Sequence, residues 1–264
     1  MALKKFIIIG GRNIAAELKK SGCNAQYLAA SDFLFEYDQK SYCNTTIILA
    51  HSSVLSRNKY GTQASIPMNK VIDKFIKIRA LHKIVLSSAA VYGLRASCAP
   101  LDESSRILGS SEYALEKKNL ERRIRKSHIL NSNITILRLS SVLYSDLTKS
   151  GNLFTKLAEL QTGYRDQLIV ENQGMQLRDF CTIDALITVL NNCSIRNGLS
   201  IYNLADIEVT DIKSVINLFL NKQSQKNVTY LTNGNHRIHC HLDTHLAMNS
   251  FGIQKIPISK LIEI

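Results

Sequence analysis

Short, continuously apolar runs alternate with segments whose apolar residues fall three and four apart through the first half of the chain. Residues 5–9, with Phe6-Ile7-Ile8-Ile9, read as a buried strand, and 14–21 reads as a helix. Further strands are expected over 25–29 and 45–50 (Thr-Thr-Ile-Ile-Leu-Ala), then a helix that presents Met68, Val71, Ile72 and Phe75 on one face. Lys83 to Ser88 is the next strand, 110–127 is rich in helix formers, and Asn133 to Leu139 is again apolar. Strands apolar along their whole length, separated by helices, fit a parallel sheet covered on both faces. The expectation is an α/β protein with a doubly wound parallel sheet of Rossmann type, whose ligands sit beyond the carboxyl ends of the strands.

Beyond about residue 144 the rhythm shortens. Gly151, Gly163, Gly174 and Gly198 punctuate it, and helices are expected over 182–191, 211–220 and 244–250. No repeat, low-complexity tract or Pro-rich linker separates the halves. The division expected is a parallel-sheet domain over 1–143 and a small C-terminal α/β cap over 144–264, with segments around 176–205 returning to the first domain.

Composition narrows the class. The 264 residues are 45% apolar and 20% charged, which excludes collagen-like, disordered and coiled-coil chains. A globule of this length buries roughly 70% of its unfolded surface and needs no disulfide or structural metal to fold. Thirty-three Lys and Arg against 21 Asp and Glu leave a net charge of +12, which favours an anionic partner without choosing among them. Six cysteines without CxxC spacing fit reduced thiols and a cytoplasmic location. No apolar run reaches the roughly 20 residues a membrane helix requires, so no membrane partner is expected.

Two places carry candidate chemistry. The first strand ends in Gly10-Gly11-Arg12-Asn13-Ile14-Ala15-Ala16, where a dinucleotide fold places a glycine-rich turn and offers a helix N-terminus to a pyrophosphate. Only the opening glycine pair is present; Asn13 is expected to adopt the left-handed conformation, and Ala16 to add a methyl where helix and strand pack. The second place is Tyr113-Ala-Leu-Glu-Lys117, an i, i+4 pair that lies on one helix face. A single Tyr and Lys pair at this spacing arises by chance in a chain rich in both. Ser87-Ser88, ending a strand upstream, gives it context.

Together these residues resemble the extended short-chain dehydrogenase/reductases of the NAD-dependent epimerase/dehydratase family, which act on nucleotide sugars. Lys83-Ile-Val-Leu-Ser-Ser-Ala-Ala-Val-Tyr-Gly93 is similar to that family's strand with a catalytic hydroxyl four residues before Tyr-Gly, which points to Ser88. Tyr113 to Glu121 resembles its Y-x-x-x-K helix. Arg138 in its strand, Arg178-Asp179-Phe180 and Tyr202-Asn203-Leu204-Ala205 follow in the expected order. The resemblance implies Ser88, Tyr113 and Lys117 as catalytic residues. It implies Gly10, Gly11, Arg12, Asn13, Ile14, Asp32, Leu49, Ala50, His51, Tyr113 and Lys117 around the cofactor, and Ser88, Ala89, Tyr113 and Arg178 around a nucleotide-sugar substrate. A phenol ordinarily titrates near 10, and an adjacent ammonium favours its ionised form, which makes such a pair a usable acid or base.

Departures from the family refine the expectation. Only about 15 residues lie between the second and third strands, a thin allowance for an adenine site. Asp32 follows Gly10 by 22 residues, near the distance expected of an acid on the cofactor ribose, and a plain surface role suits it equally. Arg12 suits a 2′-phosphate, so either NAD or NADP is expected, with NADPH favoured. Ser141 stands where the family often has Asn. Ala89 and Ala90 replace the acid pair of 4,6-dehydratases, which argues against elimination. What is left is reduction of a 4-keto deoxysugar nucleotide for polysaccharide or glycoconjugate synthesis, a 4-epimerase, or a catalytically silent cofactor-sensing or scaffold protein. A homodimer through a helix pair is a further expectation from the family.

Two other clusters are read more plainly. His236, His239, Cys240, His241 and His245 invite a metal site, but no carboxylates or spaced thiolates complete the set, so a strand leading into a helix is expected and no metal. Lys117, Lys118, Arg122, Arg123, Arg125 and Lys126 form a basic helix end without interleaved aromatics, expected as a solvated face and not a nucleic-acid site. Arg178 and Asp179 suit either an ion pair or a diphosphate contact.

Overall fold

The computed structural model describes residues 4–35, 42–52, 66–127, 133–144, 146, 152–193, 198–220, 222–232 and 239–261. Its elements run β1 (Lys5–Ile9), α1 (Arg12–Lys20), β2 (Asn24–Leu28), α2 (Ala30–Phe35), β3 (Tyr42–Leu49), α3 (Met68–Lys77), β4 (Ala80–Ser88), a 3-10 turn (Ala89–Tyr92), α4 (Glu112–Ser127) and β5 (Ile134–Leu139). The second half adds β6 (Ser141–Leu143), α5 (Asn152–Gln161), β7 (Leu168–Val170), β8 (Leu177–Arg178), β9 (Phe180–Thr182) and α6 (Ile183–Asn192). There follow β10 (Leu199–Leu204), β11 (Thr210–Asp211), α7 (Ile212–Phe219), α8 (Lys222–Gln225), β12 (Val228–Tyr230) and α9 (His245–Phe251). Among the described residues no helix is long and apolar enough to cross a membrane.

The chain divides into two compact units. The first comprises Met1–Gly93, Arg106–Leu139 and Ile187–Tyr202; the second comprises Leu94–Ser105, Ser140–Leu186 and Asn203–Ile264. The sheet of the first unit has the order β2-β1-β3-β4-β5-β10. Pairing is parallel between β1 and β2, β1 and β3, β3 and β4, and β4 and β5.

Alternation explains why its strands look apolar throughout. Ile7, Ile9, Ile47, Leu49, Val85 and Ile136 meet Phe33 of α2, Val71, Ile72 and Phe75 of α3, and Leu120 and Ile124 of α4. The intervening Ile8, Ile48 and Ile84 point the other way and are as fully buried, so both faces are covered. This is the Rossmann-type sheet the pattern predicts. Polar residues also enter it: His82 and Lys83 of β4 are 2% and 4% exposed, and Lys83 Nζ reaches the Ile76 carbonyl at 2.7 Å. Burial lowers the Lys83 amine to about 8 and the His82 imidazole to about 4.

The second unit is built from two-residue and three-residue strands around a separate core. β6 pairs with β9 and β7 with β12, both parallel, while β8 pairs with β11 antiparallel. Phe154 of α5 stands edge-on to Phe180 of β9 and Phe219 of α7, with centroids 5.1 and 5.0 Å away, among Leu157, Leu160, Val170, Val215 and Ile216. Strands this short need such a shared core, because a pair of them alone is not stable in water.

Candidate active site

Strand β4 delivers Ser88 at its carboxyl end with extended backbone, and the chain then tightens into the 3-10 turn. Ser88 caps that turn, its Oγ accepting the Ala90 N–H at 3.2 Å, so the hydroxyl is fixed in direction. The methyl of Ala89 follows directly. Helix α4 is capped in turn by Ser111, whose Oγ accepts the Ala114 N–H at 3.2 Å. Half-buried Tyr113 lies in the first turn of the helix and Lys117 in the next.

Lys117 is 3% exposed. Its Nζ donates to the Leu86 carbonyl at 2.9 Å and the His51 carbonyl at 3.4 Å, and it lies 5.7 Å from the centroid of the Tyr113 ring. The i, i+4 spacing thus brings ammonium and phenol to one helix face, against the end of the strand that carries Ser88. A buried charge held by two carbonyls is placed, not drifting.

The glycine turn lies on the same sheet. Its order reverses at β1, which has β2 on one side and β3 on the other, so the carboxyl ends of β1 and β3 form the topological switch point where ligands bind. Gly10 and Gly11 leave β1 with φ of 69° and 61°. A Cβ on Gly10 would come within 2.7 Å of the His51 Cα, and one on Gly11 within 2.6 Å of the Ala50 Cβ. Both positions therefore require glycine on two counts, conformation and space. Leu49 is fully buried, and His51, 7% exposed, holds the Ile66 carbonyl with Nε2 at 3.0 Å; burial lowers its imidazole below the ordinary range.

Because two consecutive glycines supply the left-handed bend, the chain enters α1 at Arg12, and the expectation for Asn13 is corrected. Asn13 is helical; among the described non-glycine residues only Asn172 and Gln173 have positive φ. Ala16 is exposed, whereas Ile14, Ala15 and Leu18 turn inward, so its methyl does not crowd the strand. Gly11 caps the helix without a side-chain bond, so no cap side chain takes up the first-turn amides of Arg12, Asn13 and Ile14, and the helix begins where β1 ends.

At the outer edge the sheet ends on β2 among the described residues. The residues leaving it, Leu28-Ala29-Ala30, include no acid. Asp32 lies within α2, exposed, and accepts the Ser31 hydroxyl at 3.1 Å. Arg12 is exposed, with its guanidinium over the Tyr27 ring at 5.2 Å from the centroid.

Behind Ser88 the landmark Arg138 belongs to a buried polar cluster whose contacts the residue types alone do not show. Glu121, one turn beyond Lys117 and 1% exposed, accepts from Ser87 Oγ at 2.6 Å and from Arg138. Arg138 donates through Nε at 3.0 Å and Nη2 at 2.8 Å to that carboxylate, and through Nη1 to the Tyr92 hydroxyl at 2.7 Å. A signal was present, since Glu121 continues the spacing of Tyr113 and Lys117 at four residues. Of the basic helix end, Arg122, Arg125 and Lys126 are exposed as expected, while Lys117 is interior.

Arg178 belongs to the second unit. It is partly buried on β8, with Nη1 donating to the Leu177 carbonyl at 2.8 Å, and burial lowers its basicity. Asp179 accepts the Leu242 N–H at 2.5 Å and faces Lys255 Nζ at 3.6 Å; burial raises its carboxyl above the usual range. The histidines part company. His239 bridges Arg95 through its backbone, the His241 ring bonds the Cys98 carbonyl, and His245 holds Asp243 at 2.8 Å. His236 lies outside the described residues. Among the described residues no three His, Cys, Asp or Glu gather as a metal site.

No protein-family model and no curated protein matches the chain in sequence. Solved structures match it closely in fold. An NAD-dependent NDP-hexosamine 5,6-dehydratase involved in tunicamycin biosynthesis shares 21% identity over 98% of this chain and 95% of that one, with a TM-score of 0.73. The UDP-N-acetylglucosamine 4-epimerase of Methanobrevibacter ruminantium M1, in complex with UDP-N-acetylmuramic acid, shares 17% over 99% and 96%, with a TM-score of 0.72. A variant of the UDP-glucuronic acid 4-epimerase of Bacillus cereus, in complex with NAD and a fluorinated UDP-sugar, shares 16% over 98% and 96%, with a TM-score of 0.73. At these identities the likeness is one of fold. It is the fold the motif resemblance predicts.

Proposed function

We propose that the chain is an NAD(P)-dependent nucleotide-sugar oxidoreductase that reduces a 4-keto deoxysugar nucleotide. The observation that carries this reading is Lys117, buried and pinned between two carbonyls beside Tyr113, at the end of the strand bearing Ser88. The cofactor is supported by backbone: two left-handed glycines and an uncapped helix N-terminus at the switch point suit a pyrophosphate. Gly10, Gly11, Arg12, Asn13 and Ile14 would hold it, with Leu49, Ala50 and His51 opposite. An end of β2 without an acid, and Arg12 steadied on Tyr27, support NADPH over NADH. When bound, a nicotinamide dinucleotide supplies the hydride chemistry.

The protein's own residues manage the proton. The oxygen of Ser88 is engaged by Ala90, which leaves its O–H to donate to the substrate oxygen and hold it beside Tyr113. Tyr113 gives its proton to that oxygen. The Lys117 ammonium and the helix N-terminus place positive potential where negative charge develops on the phenol as the proton leaves. Ala89 and Ala90 offer no carboxyl for elimination, which supports a redox step alone. The nucleotide half of the substrate is supported by the nucleotide-sugar enzymes that share the fold.

A 4-epimerase is the second reading, favoured by the two 4-epimerases of the same fold. Incubating the protein with NADH or NADPH and a panel of UDP- and dTDP-linked 4-keto-6-deoxyhexoses, while following nicotinamide absorbance, separates the two. Cofactor consumed in proportion to product is expected. Product without net consumption would establish the epimerase, and no binding of either cofactor would leave a silent scaffold.

A further inference from the structure

We propose that Glu121 is a positioning residue that sets Ser88 against Tyr113 and Lys117, acting through a buried pair with Arg138. This rests on the oxidoreductase reading above. Consecutive strand residues bond to consecutive turns of α4: the Leu86 carbonyl to Lys117 at 2.9 Å, and the Ser87 hydroxyl to Glu121 at 2.6 Å. On the far side of Ser88 the 3-10 turn ends at Tyr92, fully buried, with its hydroxyl on Arg138 and its ring beneath the guanidinium at 4.9 Å. Arg138 returns to the same carboxylate in a two-pronged bond. The backbone before Ser88 and the turn after it are thus tied to one carboxylate, which lies one turn from Lys117 on the helix that carries Tyr113.

The cost of this arrangement argues for geometry as its purpose. Arg138 and Glu121 are 0% and 1% exposed, and a desolvated ion pair seldom stabilises a fold more than well-packed apolar side chains in its place. What it adds is direction, since bidentate bonds fix angle as well as distance. A reaction that passes a proton between fixed groups loses on the order of a hundredfold for a displacement of about 1 Å.

The test compares the wild type with Glu121→Leu/Arg138→Met, which removes both charges and so leaves none orphaned, and with Ser87→Ala and Tyr92→Phe, which each remove one bond. Steady-state reduction of a dTDP- or UDP-linked 4-keto-6-deoxyhexose is measured beside NADPH affinity and thermal melting. The expected result is kcat down tenfold or more in the double variant and about threefold in each single one, with KM and NADPH affinity within twofold and recovery in Ser87→Thr. A folded double variant with wild-type kcat overturns the proposal. If that variant does not fold, unchanged kcat in both single variants overturns it. A wild type that turns over nothing sinks the underlying reading instead, so the two failures are distinct.

Discussion

The crossover β1-α1-β2-α2 and the crossover β4-α4-β5 belong to the same sheet but are held by different means. In the first, the polar side chains assigned to chemistry are at the surface: Arg12 and Asp32 are both exposed, and the shape comes from two left-handed glycines and apolar packing. In the second, His82, Ser87, Lys117, Glu121, Thr135 and Arg138 are all buried and bonded across the strands and the helix. The difference matches what each would do. Backbone amides suffice to receive a pyrophosphate, whereas proton transfer needs side chains fixed relative to one another.

The sharpest way to break this contrast is Glu121→Leu alone, which takes the carboxylate from the buried Arg138 guanidinium. Chemical denaturation should show a loss of about 3–5 kcal/mol, and a loss below about 1 kcal/mol would mean the cluster is not the fastener described.

A second fastener of the same crossover is His82, whose Nε2 meets Thr135 Oγ1 at 2.9 Å. Burial lowers its imidazole from 6.5 to about 4, so the fold prefers the neutral ring while the unfolded chain takes up a proton near 6.5. Its stability contribution is complete above pH 6.5 and drains as pH falls toward 4, by about 3 kcal/mol. Denaturation across that range should show the slope, and His82→Gln should flatten it.

For the first crossover the expected penalties are smaller and local. Gly10→Ala should cost about 1–3 kcal/mol through its positive φ and the close His51 backbone, and should weaken cofactor binding in the same titration. Gly22→Ala, also at positive φ but with nothing within 4 Å, should cost about 1 kcal/mol and leave binding unchanged. Asp32→Asn should be the mildest, within about 0.5 kcal/mol by melting and without effect on cofactor affinity. A large affinity loss there would support Asp32 as the acid on the cofactor ribose.

The same contrast explains what could be read from the residues. The parallel sheet was legible because strands covered on both faces have no polar alternation to hide them, and Tyr113 with Lys117 stood out only through the upstream Ser87-Ser88 and the ordered motifs, since the spacing alone recurs by chance. Asn13 and Ala16 were misjudged because a neighbouring glycine's conformation decides where α1 begins, and residue type does not record that. Arg138 was legible as a landmark of its strand, but its pairing with Glu121 was not, because a charged residue's buried partner is set by tertiary packing. In the second half, β6, β7, β8, β9, β11 and β12 are two or three residues long and carry no period at all. Helix α5 did carry one, in Leu153, Phe154, Leu157 and Leu160.

The most direct measurement is the turnover of Tyr113→Phe on the keto-sugar nucleotide that the wild type reduces, with cofactor affinity followed in parallel. The phenol as proton donor predicts kcat lower by about 10²–10⁴-fold with NADPH affinity unchanged. Wild-type turnover in that variant would contradict the account.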